Sequence, residues 1–253
     1  MPLMPGAEPF DLDGTPGGRV GAVLCHGFTG TPASMRPWGE HLAAAGVAVR
    51  CPRLPGHGTR WQDMNSTRWP DWYAELERAF DELLARVPTV FAMGLSMGGT
   101  LCLRLGEQRA AELAGLVLVN PSLATERKDA RLLSVLSRVV PSVPGIGSDI
   151  KKPGVTELSY DRTPLKAAYS LSQLWAQTRA DLHKLTAPIL TFRSRIDHVV
   201  EPVSGRLLLD GASSTQVREV VLEDSFHVAT LDNDAPEIFA GSVDFVRANA
   251  PVS

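Results

Sequence analysis

Ser96 lies in the segment G-L-S-M-G, residues 94–98, directly after an apolar run and directly before a helical pattern. A strand, a tight turn and a helix in that order present a serine hydroxyl as a nucleophile. Gly94 and Gly98 remove side chains that would crowd so sharp a turn. The alternative is an ordinary glycine-rich turn with a capping serine, but the flanking elements favour nucleophilic attack by Ser96.

A serine hydroxyl is a poor nucleophile near neutral pH and needs a base to take its proton. Of the six histidines, only His183, His198 and His227 follow Ser96. His227 alone follows a late strand with a terminal helix still to come, which is where the chain order nucleophile, acid, histidine requires the base. We therefore predict that His227 is the base.

An acid must orient that histidine. Asp197 follows I-L-T-F-R-S-R-I at the carboxyl end of a predicted strand, where functional residues of parallel sheets gather. Asp224 is the main rival, but it is too close to His227 in sequence for the usual placement of the acid. We predict that Asp197 orients His227.

The negative charge that develops on an attacked carbonyl oxygen needs two backbone N–H donors. We predict that Met97, directly after the nucleophile, supplies one and that Phe28, in C-H-G-F-T-G after the first clear strand, supplies the other. No short ligand spacing such as H-E-x-x-H joins His26, His57 and nearby acids, so the sequence indicates no metal site. The chemistry requires no cofactor.

The elements that must position these residues alternate between short apolar runs and amphipathic stretches, which is typical of β-α units around a mostly parallel sheet. We predict strands at 21–25, 47–50, 89–93, 116–120, 189–193 and 217–222, and helices at 37–45, 71–86, 98–108, 165–182 and 237–248, with residues 205–209 in a further helix. The fold class is therefore α/β, and residues 1–253 form one domain.

Residues 121–164 interrupt this regularity with Pro, Gly, Ser and one short helix, predicted at 130–139. The stretch is too long for a connection inside a compact sheet. We predict a small cap insertion over one end of the sheet, whose apolar residues are candidates for lining an acyl tunnel: Leu132, Leu133, Val135, Leu136, Val139, Val140 and Ile146.

The composition argues against a nucleic-acid-binding protein, a secreted protein and a transmembrane protein. A net charge of -3 and the absence of a basic stripe argue against nucleic acid as a partner. The N-terminus does not have the pattern of a signal peptide, and no apolar run approaches the roughly 20 residues of a transmembrane helix. The three cysteines are widely spaced in apolar contexts, so we expect core thiols and a cytoplasmic protein.

At this point the chain resembles bacterial monoacylglycerol lipases and the related small thermostable carboxylesterases, which have the α/β-hydrolase fold. The motifs that carry the resemblance are H-G-F-T-G-T-P at 26–32, P-R-L-P-G-H-G at 52–58, G-L-S-M-G-G-T at 94–100, D-H-V-V at 197–200 and H-V-A-T-L-D at 227–232. I-G-S-D-I-K at 146–151 and T-E-L-S-Y at 156–160 are similar to the monoacylglycerol lipase branch in particular.

The resemblance implies a small cap over an apolar acyl tunnel, with Glu157 contacting the glycerol of a monoacylglycerol and Ile146 on the cap rim. It also implies a small lipid ester as substrate and transient contact of the cap with membranes or micelles. From the residues alone, Glu157 would be a solvated acid and Ile146 a cap-core contact. The alternatives are a broad-specificity carboxylesterase, an acyltransferase and a non-catalytic ligand-binding protein. The sequence does not fix the oligomeric state.

Overall fold

The computed structural model describes residues 2–127, 130 and 132–251. In these residues the strands are β1 (Phe10–Leu12), β2 (Val20–Cys25), β3 (Ala48–Cys51), β4 (Thr89–Leu95), β5 (Leu113–Val119), β6 (Ser142–Pro144), β7 (Arg162–Pro164), β8 (Ile189–Ser194) and β9 (Val217–Leu222). The α-helices are α1 (Arg36–Ala44), α2 (Trp61–Met64), α3 (Trp69–Leu84), α4 (Met97–Gln108), α5 (Leu133–Val139), α6 (Leu165–Asp181), α7 (Val203–Gly211) and α8 (Ala235–Asn249).

Seven of the described strands form one sheet in the order β1-β3-β2-β4-β5-β8-β9. Every neighbouring pair is parallel except the edge pair, in which β1 runs antiparallel to β3. This confirms the predicted mostly parallel sheet. The predicted strands and helices are present with ends within three residues of those expected. Strand β1, the one-turn helix α2 and the small hairpin of β6 and β7 were not predicted.

Both faces of the sheet are covered, which explains the near-continuous apolar runs of its central strands. In β2, Val23 and Cys25 face one buried cluster while Ala22 and Leu24 face the other. Helices α3, α4 and α6 cover the first face, and α1 and α8 cover the second. Two cores therefore fix the sheet from both sides.

The parallel arrangement brings the carboxyl ends of four strands to one edge of the sheet. Phe28 follows β2, Ser96 follows β4, Asp197 follows β8 and His227 follows β9. The topology thus gathers residues that are far apart in the chain.

The segment predicted to be a cap, residues 121–164, contains α5 and the antiparallel pair of β6 and β7 among long irregular stretches. Helix α5 begins at Leu133 rather than at residue 130, and Arg131 lies outside the described residues. Among the described residues, no helix combines the length and apolar character needed to cross a bilayer.

Candidate active site

Ser96 lies at the junction of β4 and α4 with a strained backbone, φ 55° and ψ −120°. A side-chain-bearing residue rarely adopts a positive φ, and such strain persists only where surrounding structure enforces it. Here the Ser96 N–H donates to the carbonyl of Val119 on β5 at 2.9 Å, and the Ser96 carbonyl accepts from the N–H of Thr100 at 3.1 Å. The neighbouring strand and the helix therefore hold the turn from both sides.

The two glycines beside Ser96 are sterically required. A Cβ atom on Gly98 would lie 2.1 Å from the carbonyl oxygen of Cys25, and one on Gly94 would lie 2.4 Å from the backbone of Gly98. No real Cβ contact is so short, and backbone atoms cannot move aside as a flexible side chain can. The geometry agrees with the reason for which the sequence singled out these glycines.

His227 and Asp197 lie on loops after adjacent strands, and their side chains meet. His227 Nδ1 is 2.8 Å from Asp197 Oδ2, and both side chains are nearly inaccessible to solvent. The other carboxylate oxygen of Asp197 accepts the N–H groups of Val199 and Val200, both at 2.8 Å. An ionised carboxylate only accepts hydrogen bonds, so Nδ1 of His227 must carry a proton and Nε2 is left as the basic nitrogen.

Both groups have shifted pKa values. Burial alone would lower the pKa of His227, but the charge of Asp197 and its hydrogen bond, helped by Glu157 and Asp149, raise it above its ordinary value. Burial would raise the pKa of Asp197, but His227 and the two backbone donors bring it below its ordinary value. Asp197 is therefore a carboxylate across the neutral range, as an orienting acid must be.

Asp224, the rival acid, is placed elsewhere. Its carboxylate is 59% exposed and forms an ion pair with Lys151 at 2.6 Å. His198 is the neighbour of Asp197, but its ring contacts Asp149 at 2.8 Å instead of Asp197. His41 and His183 are exposed.

Asn120 is a structural residue of the site that sequence reasoning missed. It follows β5 with a positive φ of 45°. Its amide nitrogen donates to the carbonyl of His227 at 2.8 Å and to the hydroxyl of Ser194 at 3.0 Å, and its amide oxygen accepts the N–H of Ser194 at 2.8 Å. Asn120 therefore ties the end of β5 to the end of β8 and to the histidine loop. Asn120 is the last residue of the strand predicted at 116–120, and nothing local in the sequence predicts these distant partners.

The two predicted oxyanion donors lie close to the nucleophile. Met97 is the first residue of α4, where helix N–H groups have no partner within the helix. Phe28 lies beside Ser96 on the wall of one cavity. Their roles as donors stay predictions.

A buried histidine fixes the peptide that carries the Phe28 N–H. His26 Nε2 accepts the N–H of Leu54 at 3.2 Å, so its Nδ1 carries the proton and donates to the carbonyl of Gly27 at 3.0 Å. Burial lowers the pKa of His26 to about 4, which keeps the ring neutral. Because the Gly27–Phe28 peptide is trans, the Phe28 N–H points away from His26. His26 is thus a structural histidine, and no metal-binding group of His, Cys, Asp or Glu occurs among the described residues.

Ser96 and His227 line a cavity of about 250 Å³, which residues of the segment 121–164 also line. Its apolar wall differs from the one predicted. Leu133 and Ile146 line it, whereas Leu132, Val135, Leu136 and Val139 point to solvent, Val139 with 75% of its surface exposed. The wall is completed by residues of α6 and of the Asp197 loop, including Ala168, Leu171, Trp175, Val199 and Val200. The sequence predicts the helix at 165–182 but not that its side chains line this cavity.

Glu157 also lines this cavity, and it is not a solvated acid. Its carboxylate fills the space over Gly30, where a Cβ atom would lie 2.6 Å from Oε1. Its N–H donates to the hydroxyl of Ser148 at 2.7 Å. Burial raises the pKa of Glu157 to about 7, against the opposing effects of His227 and Ser34. An acid in a cavity with a perturbed pKa is a candidate for contact with a ligand.

Two hydrogen bonds, one between backbone groups and one from a side chain to the backbone, hold this part of the cap segment against the Phe28 loop. The Tyr160 N–H donates to the carbonyl of Thr29 at 3.1 Å, and the Thr31 hydroxyl donates to the carbonyl of Leu158 at 3.0 Å. Ile146 lines the same cavity and is 57% exposed, and its place on the cap rim stays a prediction.

The chain is similar to a known hydrolase family and to lipolytic enzymes. Residues 19–234 match the family Hydrolase_4, described as serine aminopeptidase, S33. A thermostable monoacylglycerol lipase from Bacillus sp. (strain H-257) is 43% identical over 251 residues, which cover 98% of each chain. A solved structure described with the metagenome-derived lipolytic enzymes LipS and LipT is 40% identical with a TM-score of 0.93, covering 98% of this chain and 100% of the other.

The structure of a monoacylglycerol lipase from Paleococcus ferrophilus matches with a TM-score of 0.81 at 22% identity, over 96% of this chain and all of the other. At that identity the match supports the fold alone. Together these comparisons confirm the predicted α/β-hydrolase fold and the predicted resemblance.

The link between His227 and Asp197 predicts a measurable titration. By NMR, the His227 ring should titrate above the ordinary histidine pKa of about 6.5, and Asp197→Asn should lower its midpoint because the nearest negative charge is lost. Asp224→Asn is the matched control, since it removes the rival carboxylate, which lies outside the site. A larger shift in the Asp224 variant than in the Asp197 variant would reverse the assignment of the acid.

Proposed function

The chain belongs to the Hydrolase_4 family, serine aminopeptidase S33, and we propose that it is a serine esterase that hydrolyses monoacylglycerols to a fatty acid and glycerol. One observation carries the proposal: Ser96, His227 and Glu157 line a single cavity, with Asp197 hydrogen-bonded behind His227. The family description refers to a peptidase, but the relatives named above are lipases and lipolytic enzymes.

The reaction begins when Ser96 Oγ attacks the ester carbonyl while His227 Nε2 takes its proton. The resulting oxyanion is held by the N–H groups of Phe28 and Met97. The bond to the alcohol then breaks, and His227 gives the proton to the departing glycerol oxygen. Water attacks the acyl-Ser96 by the same steps, releasing the fatty acid and restoring the Ser96 hydroxyl. Asp197 stabilises the His227 cation in both halves without taking a proton itself.

The cavity wall has the chemistry that an acyl chain requires. Leu133, Leu171, Trp175, Val199 and Val200 give it a largely apolar lining. Apolar side chains there favour an acyl chain because burying each methylene contributes about 0.8 kcal/mol. We propose that residues 121–164 act as a cap that closes this acyl site.

Glu157 supplies the polar end of the site. A glycerol leaving group has two free hydroxyls, and a carboxylate accepts hydrogen bonds from them. The Glu157 carboxylate lies over Gly30, in the loop that also carries Phe28. An alcohol leaving the carbonyl carbon would therefore lie near Glu157. The specific preference for glycerol over a simple alcohol is assigned to this residue.

The exposed apolar residues of the cap segment suit contact with a lipid surface. Leu132, Val135 and Val139 are exposed on or next to α5, and Ile146 is exposed at the edge of the cavity. Because Ile146 is both exposed and part of the cavity lining, we propose that a lipid enters the site from a membrane or micelle past this residue. The three buried, unpaired thiols Cys25, Cys51 and Cys102 suit a reducing compartment, so we retain the cytoplasm as the proposed location.

Ser96→Ala removes the proposed nucleophile and little else. We expect loss of covalent labelling by an organophosphonate and a fall in kcat/KM of at least about 10³-fold, with an unchanged circular dichroism spectrum. Labelling is followed by intact-protein mass spectrometry. Stoichiometric labelling of the alanine variant would assign the nucleophile to another residue.

Acyl length tests the cavity wall. With p-nitrophenyl esters, kcat/KM should rise by up to about four-fold per added methylene, the equivalent of 0.8 kcal/mol, and then level off when the cavity is full. Leu171→Trp should move the optimum to shorter chains because the indole occupies acyl space. Val139→Trp, at an exposed position of α5, is the control. Equal rates for acetyl and decanoyl esters would contradict an acyl site here.

Glu157→Gln tests the recognition of glycerol. Hydrogen bonds to a charged group contribute roughly 1.5–3 kcal/mol, so kcat/KM for a monoacylglycerol should fall by about ten-fold or more. A p-nitrophenyl ester of equal acyl length should be hydrolysed almost normally. Both substrates are assayed on the alkaline plateau, because removal of the Glu157 charge also lowers the pKa of His227.

Asp161→Asn, which removes an exposed acid of the same segment, is the matched control for Glu157→Gln. Equal losses on both substrates would make Glu157 a support of the cap. No loss on either would favour a broad-specificity carboxylesterase.

A further inference from the structure

Two aspartates join the cap segment to the loop that carries His227. Asp149 belongs to the cap segment, and its side chain is 11% exposed. Asp232 follows the His227 loop and is 2% exposed. Each accepts backbone N–H groups from the opposite side, so the two segments are linked in both directions.

Asp149 contacts the loops of both the proposed base and the proposed acid. Its Oδ2 accepts the N–H of His227 at 3.1 Å and the N–H of His198 at 3.2 Å. Its Oδ1 is 2.8 Å from His198 Nδ1, and its carbonyl accepts the N–H of Val228 at 3.1 Å. Since His198 directly follows Asp197, one carboxylate fixes the spacing between the backbones that present Asp197 and His227.

Asp232 completes the link from the other side. Its carboxylate accepts the N–H groups of Lys151 at 2.7 Å and Lys152 at 2.9 Å, next to Asp149 in the chain. It also accepts the N–H groups of Phe226 at 2.8 Å and Asn233 at 2.8 Å. Asp149 is therefore held in place by a second buried acid.

We infer that Asp149 is a positioning residue for the proposed reaction, coupling the seating of the cap to the alignment of His227 with Asp197 and Ser96. The inference rests on the proposed serine esterase function. The His227 ring is fixed at Nδ1 by Asp197 and through its backbone by Asp149, and these two points set the direction of Nε2. Small displacements of a catalytic group are costly, because proton transfer needs hydrogen-bond distance and alignment.

Asp149 also acts through its charge. The charged groups that face His227 are Asp197, Glu157 and Asp149, and all three raise the pKa of its ring against the effect of burial. A residue that only supported the fold would alter stability without moving the acid limb of the activity profile. The pH profile therefore separates positioning at the site from support of the fold.

Three substitutions separate position from charge. Asp149→Ala removes the acceptors and the charge, Asp149→Glu keeps the charge but displaces the carboxylate, and Asp149→Asn keeps an acceptor oxygen without the charge. Asp161→Ala, at an exposed acid of the cap segment, is the control. For each variant, kcat and KM for a p-nitrophenyl ester are measured from pH 5 to 9, and kcat is divided by the sites titrated with an organophosphonate.

We expect per-site kcat to fall at least about ten-fold in the Ala and Glu variants, since misplacement of a catalytic group by about 1 Å can cost 10²-fold, with KM changed by less than about three-fold. The Asn variant should lose less, while its acid limb moves to lower pH. Per-site kcat equal to that of Asp161→Ala in both the Glu and Ala variants would overturn the inference. If the Ala variant does not fold, the Glu and Asn variants decide alone: equal kcat and an unmoved acid limb overturn it.

Failure of the proposed function has a different outcome. In that case the wild-type protein would not hydrolyse esters, or Ser96→Ala would still be labelled. Failure of the positioning role leaves an active, Ser96-labelled wild-type enzyme whose Asp149 variants match the control.

Discussion

The hydrogen bond between Asp197 Oδ2 and His227 Nδ1 joins two loops that leave adjacent strands, β8 and β9. Its length of 2.8 Å leaves little tolerance, because a charge-assisted hydrogen bond weakens quickly with distance and misalignment. Everything around it acts to hold that distance. The parallel pairing of β8 with β9 sets the separation of the two loops, and the N–H groups of Val199 and Val200 fix the carboxylate that faces the ring.

Two polar side chains carry this constraint to the rest of the molecule. Asn120 links the strand next to Ser96 with the end of β8 and the carbonyl of His227. Asp149 approaches the same loop from the cap segment and takes the N–H of His227. The histidine backbone is thereby held by a carbonyl contact from the sheet and an N–H contact from the cap. A buried polar network of this kind favours one arrangement of the loops, because any buried polar group left without a hydrogen-bond partner would raise the free energy of the folded state.

The sequence predicts what depends on local pattern. Apolar runs that alternate with amphipathic stretches predict the sheet and its helices. The glycines on either side of Ser96 predict a sharp turn, and in the structure neither position has room for a side chain. Ser96, Asp197 and His227 could be selected because each one comes shortly after a predicted strand and because they occur in the order nucleophile, acid, histidine. Contacts between residues far apart in the chain could not be predicted from local pattern. Asn120 was predicted only as the last residue of the strand 116–120. The cap residues assigned to the tunnel, such as Val139, face outwards because the apolar wall comes from α6 instead.

At Glu157 the proposed site for an alcohol conflicts with the stability of the fold. In the unfolded chain a glutamate has a pKa near its ordinary value of 4.5, whereas burial raises the folded pKa of Glu157 to about 7. Between these values the folded state binds more protons than the unfolded state, so this residue lowers stability as pH rises through that window and keeps the deficit above it. A glutamine would avoid the deficit, and a leucine would pack better against the apolar wall. The proposed contact with an alcohol leaving group gives a reason for a carboxylate that lies over Gly30 and lines the same cavity as Ser96, although burial disfavours its charge.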